Sequence, residues 1–241
     1  MAKTIVIASG KGGVGKSTTA AGLGKALAKR GVNTLLIDCD AGLASLDTML
    51  GCREFSAFGW YDMFCGRCSP EDAVTKVYEN LSLISAPSSP IGQDGETAIK
   101  DAVKAFDDSF DVIIADAPAG LGMGVFRAAF AAEHGLIIAT GDEISVNGAA
   151  AVDKRLREAG VRDTRLIINR YSLKAAKKGK LLSVDKMIDM SYVRLIGMIP
   201  EDEALLYKGS KTKKGSAEGA FERIASRIMG ENIELKLSLL K

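Results

Sequence analysis

Aromatic residues are scarce in this 241-residue chain, at 6%. Stacking platforms for single-stranded nucleic acid draw on such side chains, so that function is not expected. The one histidine, His134, has no obvious partner, and histidine-based catalysis or metal binding finds no support. No apolar run approaches the roughly 18 residues of a membrane-spanning helix. No signal peptide is expected, because the apolar run after Lys3 is short and stops at a glycine-rich loop. The four cysteines, Cys39, Cys52, Cys65 and Cys68, read as thiols of a reduced, cytoplasmic protein and not as a disulfide scaffold. Charge of either sign is not in excess: the formal net charge of +2 names no partner.

What is present is a chain that is 47% hydrophobic and 26% charged, enough for one large core. One domain is expected over residues 1–241, not two. Short apolar runs at 4–8, 33–38, 81–86, 111–116, 135–140, 164–169 and 194–199 read as buried strands. Their Leu, Ile and Val are near-continuous, which points to a mostly parallel sheet covered on both faces. Between them lie helical stripes: Ala98, Ala102, Val103 and Phe106; Val152, Leu156 and Ala159; Phe221, Ile224, Ala225, Ile228 and Met229. The alternation implies a doubly wound α/β fold, with ligands outside the carboxyl ends of the strands.

Residues 10–17, Gly-Lys-Gly-Gly-Val-Gly-Lys-Ser, fit G-x-x-x-x-G-K-[ST], the phosphate-binding loop of P-loop NTPases. A strand precedes the loop and a helical stretch, 17–30, follows it. That order aims backbone N–H groups and a helix N-terminus at a polyphosphate. Gly10, Gly12, Gly13 and Gly15 let the backbone curl and approach phosphate closely. Lys16 is placed to reach the β- and γ-phosphates, and the Ser17 hydroxyl is a Mg²⁺ ligand.

Two strands end in acids. Run 111–116 ends in Asp116, followed by Pro118-Ala119-Gly120. An acid after an apolar strand downstream of a phosphate loop is placed to hold Mg²⁺, though such an aspartate also caps turns. Gly120 permits a turn whose N–H senses the γ-phosphate and lets go after hydrolysis. Run 33–38 ends in Asp38-Cys39-Asp40. On the residues alone, Asp38 and Asp40 serve equally as turn formers or as γ-phosphate-side carboxylates, one of which orients the attacking water. Asn169, at the end of run 164–169, is either a loop residue or a carboxamide suited to the edge of adenine.

The string Lys11 to Thr18, Lys-Gly-Gly-Val-Gly-Lys-Ser-Thr, resembles the deviant Walker A motif of the MinD/ParA ATPases, and the chain is closest to the MinD branch. In that family the extra lysine, here Lys11, crosses a dimer interface to the partner's nucleotide, acting like an arginine finger supplied in trans. Residues 38–47 resemble the family's first switch segment, D-x-D-x-G-L-x-N-L-D, with Ser45 where asparagine is usual. The match to the water-activating aspartate is Asp40, and Asp38 joins Ser17 and Asp116 on the metal side. Asn169-Arg170-Tyr171 resembles the adenine-contacting segment, and residues 197–202, which include Pro200, Glu201 and Asp202, resemble its second base-side loop. Residues 66–73 and 116–120 match as well, so the resemblance runs in order from about 3 to 235. It implies an ATPase that binds ATP with Mg²⁺, dimerises around two nucleotides, hydrolyses slowly, and answers to a regulatory protein partner in septum placement or cargo segregation. ATP shared across the interface stabilises the dimer, and loss of the γ-phosphate removes contacts from Gly120 and Lys11.

The chain departs from that family at its end. Family members usually close on a basic amphipathic helix that inserts into the membrane. Here, within tail 231–241, the apolar positions 233, 235, 237 and 239 alternate as in a strand, with no aromatic anchor. The tail is expected to dock on its own domain, leaving peripheral attachment to the inner membrane face as the alternative. Residues 207–214 and Lys174, Lys177, Lys178 and Lys180 form two basic clusters. Each is a solvated face or a surface for DNA phosphate or acidic lipid. Cys65 and Cys68 form a C-x-x-C, structural or, across a dimer, half of a metal cluster in a cluster-carrier ATPase.

Overall fold

β-Branched and leucine-rich runs form strands where a sheet can bury both of their faces, and every run singled out above does so. The computed structural model describes residues 1–43, 45–89, 91, 97–202 and 216–236. The basic cluster at 207–214 and the end of the tail, 237–241, lie outside the described residues. The strands are β1 (Lys3–Ala8), β2 (Thr34–Asp38), β3 (Val74–Tyr78), β4 (Leu81–Ile84), β5 (Val112–Asp116), β6 (His134–Thr140), β7 (Asp163–Tyr171) and β8 (Leu195–Pro200). They form one sheet in the order β3-β4-β2-β5-β1-β6-β7-β8. All pairings are parallel except β3 with β4.

The sequence pattern does not reveal β3. It is an edge strand paired on one side only, half-exposed, and interrupted by a register shift between Lys76 and Tyr78. Its pattern carries too little burial to stand out from a polar loop.

Strand residues alternate between two cores, as the period of two requires. Ile5 and Ile7 face one side and Val6 and Ala8 the other. The first side is covered by α1 (Lys16–Lys29) and α9 (Ala217–Ile228) through Leu23, Leu27, Phe221 and Ile224. The second is covered by α4 (Ala98–Phe106), α5 (Met123–Ala129), α6 (Glu143–Glu158) and α8 (Val184–Ser191). The expected stripes are the buried faces, apart from Ala159, half-buried just past the end of α6, and Met229, which is exposed. Helix α9 ends at Ile228 and the chain turns away at Gly230, φ +90°, so Met229 lies past the stripe. Three short helices, α2 (Leu46–Leu50), α3 (Trp60–Phe64) and α7 (Leu173–Lys177), decorate the carboxyl-end loops.

Close helix packing rests on glycine. A Cβ at Gly22 of α1 would sit 2.4 Å from the Phe221 ring of α9. The chain leaves β1 toward β2 on one side, and β6 lies on the other. The loop after β1 therefore opens at the point where the strand order reverses, the usual place for a ligand crevice.

Candidate functional site

The β1–α1 loop is shaped by two left-handed glycines, Gly13 (φ +75°) and Gly15 (φ +91°), the second of which caps α1. Gly12 and Gly13 face open space, while a Cβ at Gly10 would lie 2.7 Å from the Gly148 carbonyl oxygen. Gly10 thus has a packing reason that the motif alone did not reveal: the loop rests on the backbone of α6. The first turn of α1 carries no acid, so its positive end is free for an external anion.

Lys16 is buried, with Nζ 2.8 Å from Asp116 Oδ1 and 3.5 Å from Ser17 Oγ. Asp116 closes β5 and is fully buried. Burial pushes its pKa up to about 6, against the pull of the Lys16 ammonium and the Ser17 hydroxyl. Its second oxygen, Oδ2, is buried without a hydrogen-bond partner. A buried carboxylate oxygen left without a partner costs about 1–3 kcal/mol or more, and a divalent cation is a natural acceptor of it. Ser17 and Asp116 therefore fit a Mg²⁺ site that takes its other oxygens from phosphate and water. Among the described residues, no three His, Cys, Asp or Glu side chains converge as an all-protein metal cage.

Asp38 is buried and its carboxylate is occupied. Oδ1 accepts the Asp40 N–H at 3.0 Å, and Oδ2 accepts those of Ser45 and Leu46 at 2.9 and 3.1 Å. It folds the loop that carries Asp40, so its reach to metal is limited in this conformation. Asp40 is half-buried beside Lys16, and burial raises its pKa, with Lys16 opposing and Asp38 adding to the shift.

Lys11 stands outside the loop, 50% exposed, with Nζ 3.8 Å from Asp142 Oδ1. Nothing in the sequence singled out Asp142. It is the N-cap of α6, accepting the Ser145 N–H at 3.0 Å. The Gly120 N–H donates to the Ser9 carbonyl at 2.9 Å, with Gly120 at φ +96°. Asn169 is buried, and its Nδ2 donates to the Val14 carbonyl at 2.8 Å. One edge of the carboxamide thus braces the phosphate loop. Arg170 is exposed in a left-handed conformation, φ +54°, which is strained for a non-glycine residue. Pro200 ends β8, Glu201 is exposed, and the Asp202 carboxylate accepts the Ala217 N–H at the start of α9. Thr18 lies half-buried on the first turn of α1.

Away from the loop, His134 does have a partner: its Nδ1 is 3.7 Å from Asp163, beside it on the paired strands β6 and β7. Cys39 and Cys52 are buried free thiols. Cys65 is exposed and Cys68 half-buried at the turn that ends α3. Lys174, Lys177, Lys178 and Lys180 are all exposed. The described part of the tail, 231–236, forms no strand and leaves Leu235 exposed, but Arg227 of α9 donates to the carbonyls of Ile233 and Glu234 at 2.9 Å and to that of Ile196 on β8 at 3.0 Å.

Known proteins resemble the whole chain. The CobQ/CobB/MinD/ParA nucleotide binding domain matches residues 5–213. A septum site-determining protein MinD from Thermotoga maritima is 35% identical, over 98% of this chain and 91% of its own. The MinC:MinD cell division protein complex of Aquifex aeolicus contains a chain that is 34% identical, with a TM-score of 0.87 and 98% of each chain covered. MinD of Pyrococcus horikoshii, solved with Mg-ADP, is 25% identical with a TM-score of 0.81, covering 95% of this chain and 96% of that one. The chain belongs to the MinD/ParA family of nucleotide-binding domains.

Proposed function

We propose that the chain is an ATP-driven switch that dimerises around two ATP molecules, hydrolyses them slowly, and in its ATP-bound form positions a protein partner in division-site placement. One observation carries this reading. The buried Lys16–Asp116 pair closes the phosphate loop from below, while a second cation, Lys11, stands outside it and half-exposed. A lysine that only held phosphate from within would have no reason to be there.

The loop N–H groups and the α1 N-terminus bind the phosphates, and Lys16 turns its charge from Asp116 to the β- and γ-oxygens. Ser17 and Asp116 would hold Mg²⁺, which supplies charge neutralisation during phosphoryl transfer. Asp40 orients the attacking water. Asn169, Arg170, Pro200, Glu201 and Asp202 flank the base. The Lys11–Asp142 pair is open to solvent on both sides, so it contributes only about 0–1 kcal/mol and is readily exchanged for a partner's nucleotide. Gly120 exchanges its bond to Ser9 for one to the γ-phosphate.

The partner is a regulator of the kind in the MinC:MinD complex, and the setting is cytoplasmic, with peripheral contact to the inner membrane face as the alternative. The solvent-facing lysines in and after α7 favour a second reading, in which the ATP-bound dimer holds DNA nonspecifically; salt-sensitive DNA retention by the dimer would separate the two. The single-domain boundaries, 1–241, belong to the same proposal.

Lys11→Ala keeps ATP binding by the monomer and loses the ATP-induced dimer. Asp40→Ala dimerises and stays locked, because hydrolysis stops. A Lys11→Ala protein that dimerises with ATP as the parent does contradicts the role in trans. Equilibrium dialysis and light scattering read the two properties separately.

A further inference from the structure

Trp60 is the chain's one tryptophan, and it is fully buried at the start of α3. Its indole N–H donates to the backbone carbonyl of Asp38 at 2.7 Å. Asp38 is the last residue of β2, where the backbone leaves the sheet. The carboxylate of that same residue gathers the N–H groups of Asp40, Ser45 and Leu46. Asp38 is thus held from behind by Trp60 and holds the Asp40 loop in front.

The ring itself is held in place. The Trp60 backbone N–H donates to the Ser85 carbonyl at 3.2 Å, and the Gly59 N–H donates to Asp62 Oδ2 at 3.0 Å. Gly59 bridges to Ser85 so closely that a Cβ there would fall 2.4 Å from the Ser85 oxygen. Helix α3 is therefore pinned to the end of β4 through its backbone and to the end of β2 through the indole. Many apolar side chains could fill the space under α3. Only one that carries a donor can also satisfy the Asp38 carbonyl, and a buried indole usually finds such a partner.

We propose that Trp60 is a positioning residue for ATP hydrolysis: its indole N–H fixes Asp38, and through Asp38 the loop that presents Asp40 to the attacking water. This rests on the role given to Asp40 above. The indole is fully buried and its one donor is taken up by the Asp38 carbonyl, so its effect falls on the hydrolytic step and not on nucleotide binding.

The test replaces Trp60 with β-(3-benzothienyl)alanine, which keeps the bicyclic shape and puts sulfur in place of the N–H. Because the chain has one tryptophan, residue-wide replacement changes this position alone. Nucleotide affinity is read with a fluorescent ADP analogue and hydrolysis by single turnover of Mg-ATP. Affinity should stay within about twofold while the rate falls at least about fivefold. Replacement by 7-azatryptophan, which keeps the N–H, should restore the rate. Trp60→Phe gives the same split by ordinary mutagenesis if the analogue protein folds poorly. A folded donorless protein that hydrolyses ATP at the parent rate, or one that loses affinity and rate in equal proportion, overturns the proposal. Asp40→Ala run in parallel separates the causes. If it too hydrolyses at the parent rate, the reading of Asp40 fails; if it is inactive while the donorless protein is active, only the role of Trp60 fails.

Discussion

Lys16 and Asp116 lie 100 residues apart in sequence and 2.8 Å apart in space, and most of the site's electrostatics follows from that pair. Asp116 has its pKa raised to about 6 by burial, above the unfolded value of about 3.9. A raised carboxyl pKa means the folded state holds its proton more tightly than the unfolded chain. The stability this contributes is fully present below about pH 4 and is lost as pH rises through about 6. In the nucleotide-free protein, unfolding midpoints measured across that window should fall with pH on account of this group, and Asp116→Asn should flatten that part of the profile. Mg-ATP binding should run the other way, weakening as pH drops below about 6 and the carboxylate protonates. The motif made Gly10 to Ser17 and Asp116 legible because their chemistry depends on residue type and short spacing. Asp142 beside Lys11, Gly148 under Gly10 and Val14 beneath Asn169 were not legible, since each is a contact between distant segments.

At the scale of elements, the sheet could be read from its burial. Each parallel strand is apolar on both faces, and the pattern located all of them to within a few residues; β3, wet on one face, gave no such signal. Helix α1 was visible as a stretch of helix-forming residues, but its contact with α9 was not, because a glycine against a ring leaves no periodic mark. That contact makes a prediction. Gly22→Val would bring a Cβ to 2.4 Å from the Phe221 ring and add two further carbons beyond it, so it should destabilise by about 1–3 kcal/mol in urea denaturation. Phe221→Leu in the same chain should return part of that loss, and two independent sites would add instead.

For the molecule as a whole, the order β4-β2-β5-β1-β6-β7 gathers Asp38, Asp116, the phosphate loop and Asn169 at one end of the sheet. Segments far apart in the chain thereby meet at one place, and under the proposed function a single phosphate would be sensed there from several loops. Part of the tail's behaviour was anticipated: residues 233 and 234 dock on their own domain through Arg227. What the fold adds is a contact for each group proposed to switch, with Lys11 on Asp142 and Gly120 on Ser9. The most direct test is solution mass by light scattering, with ADP and with a nonhydrolysable ATP analogue, both with Mg²⁺. The account predicts a monomer with ADP and a dimer with the ATP analogue, and the same mass in both states would contradict it.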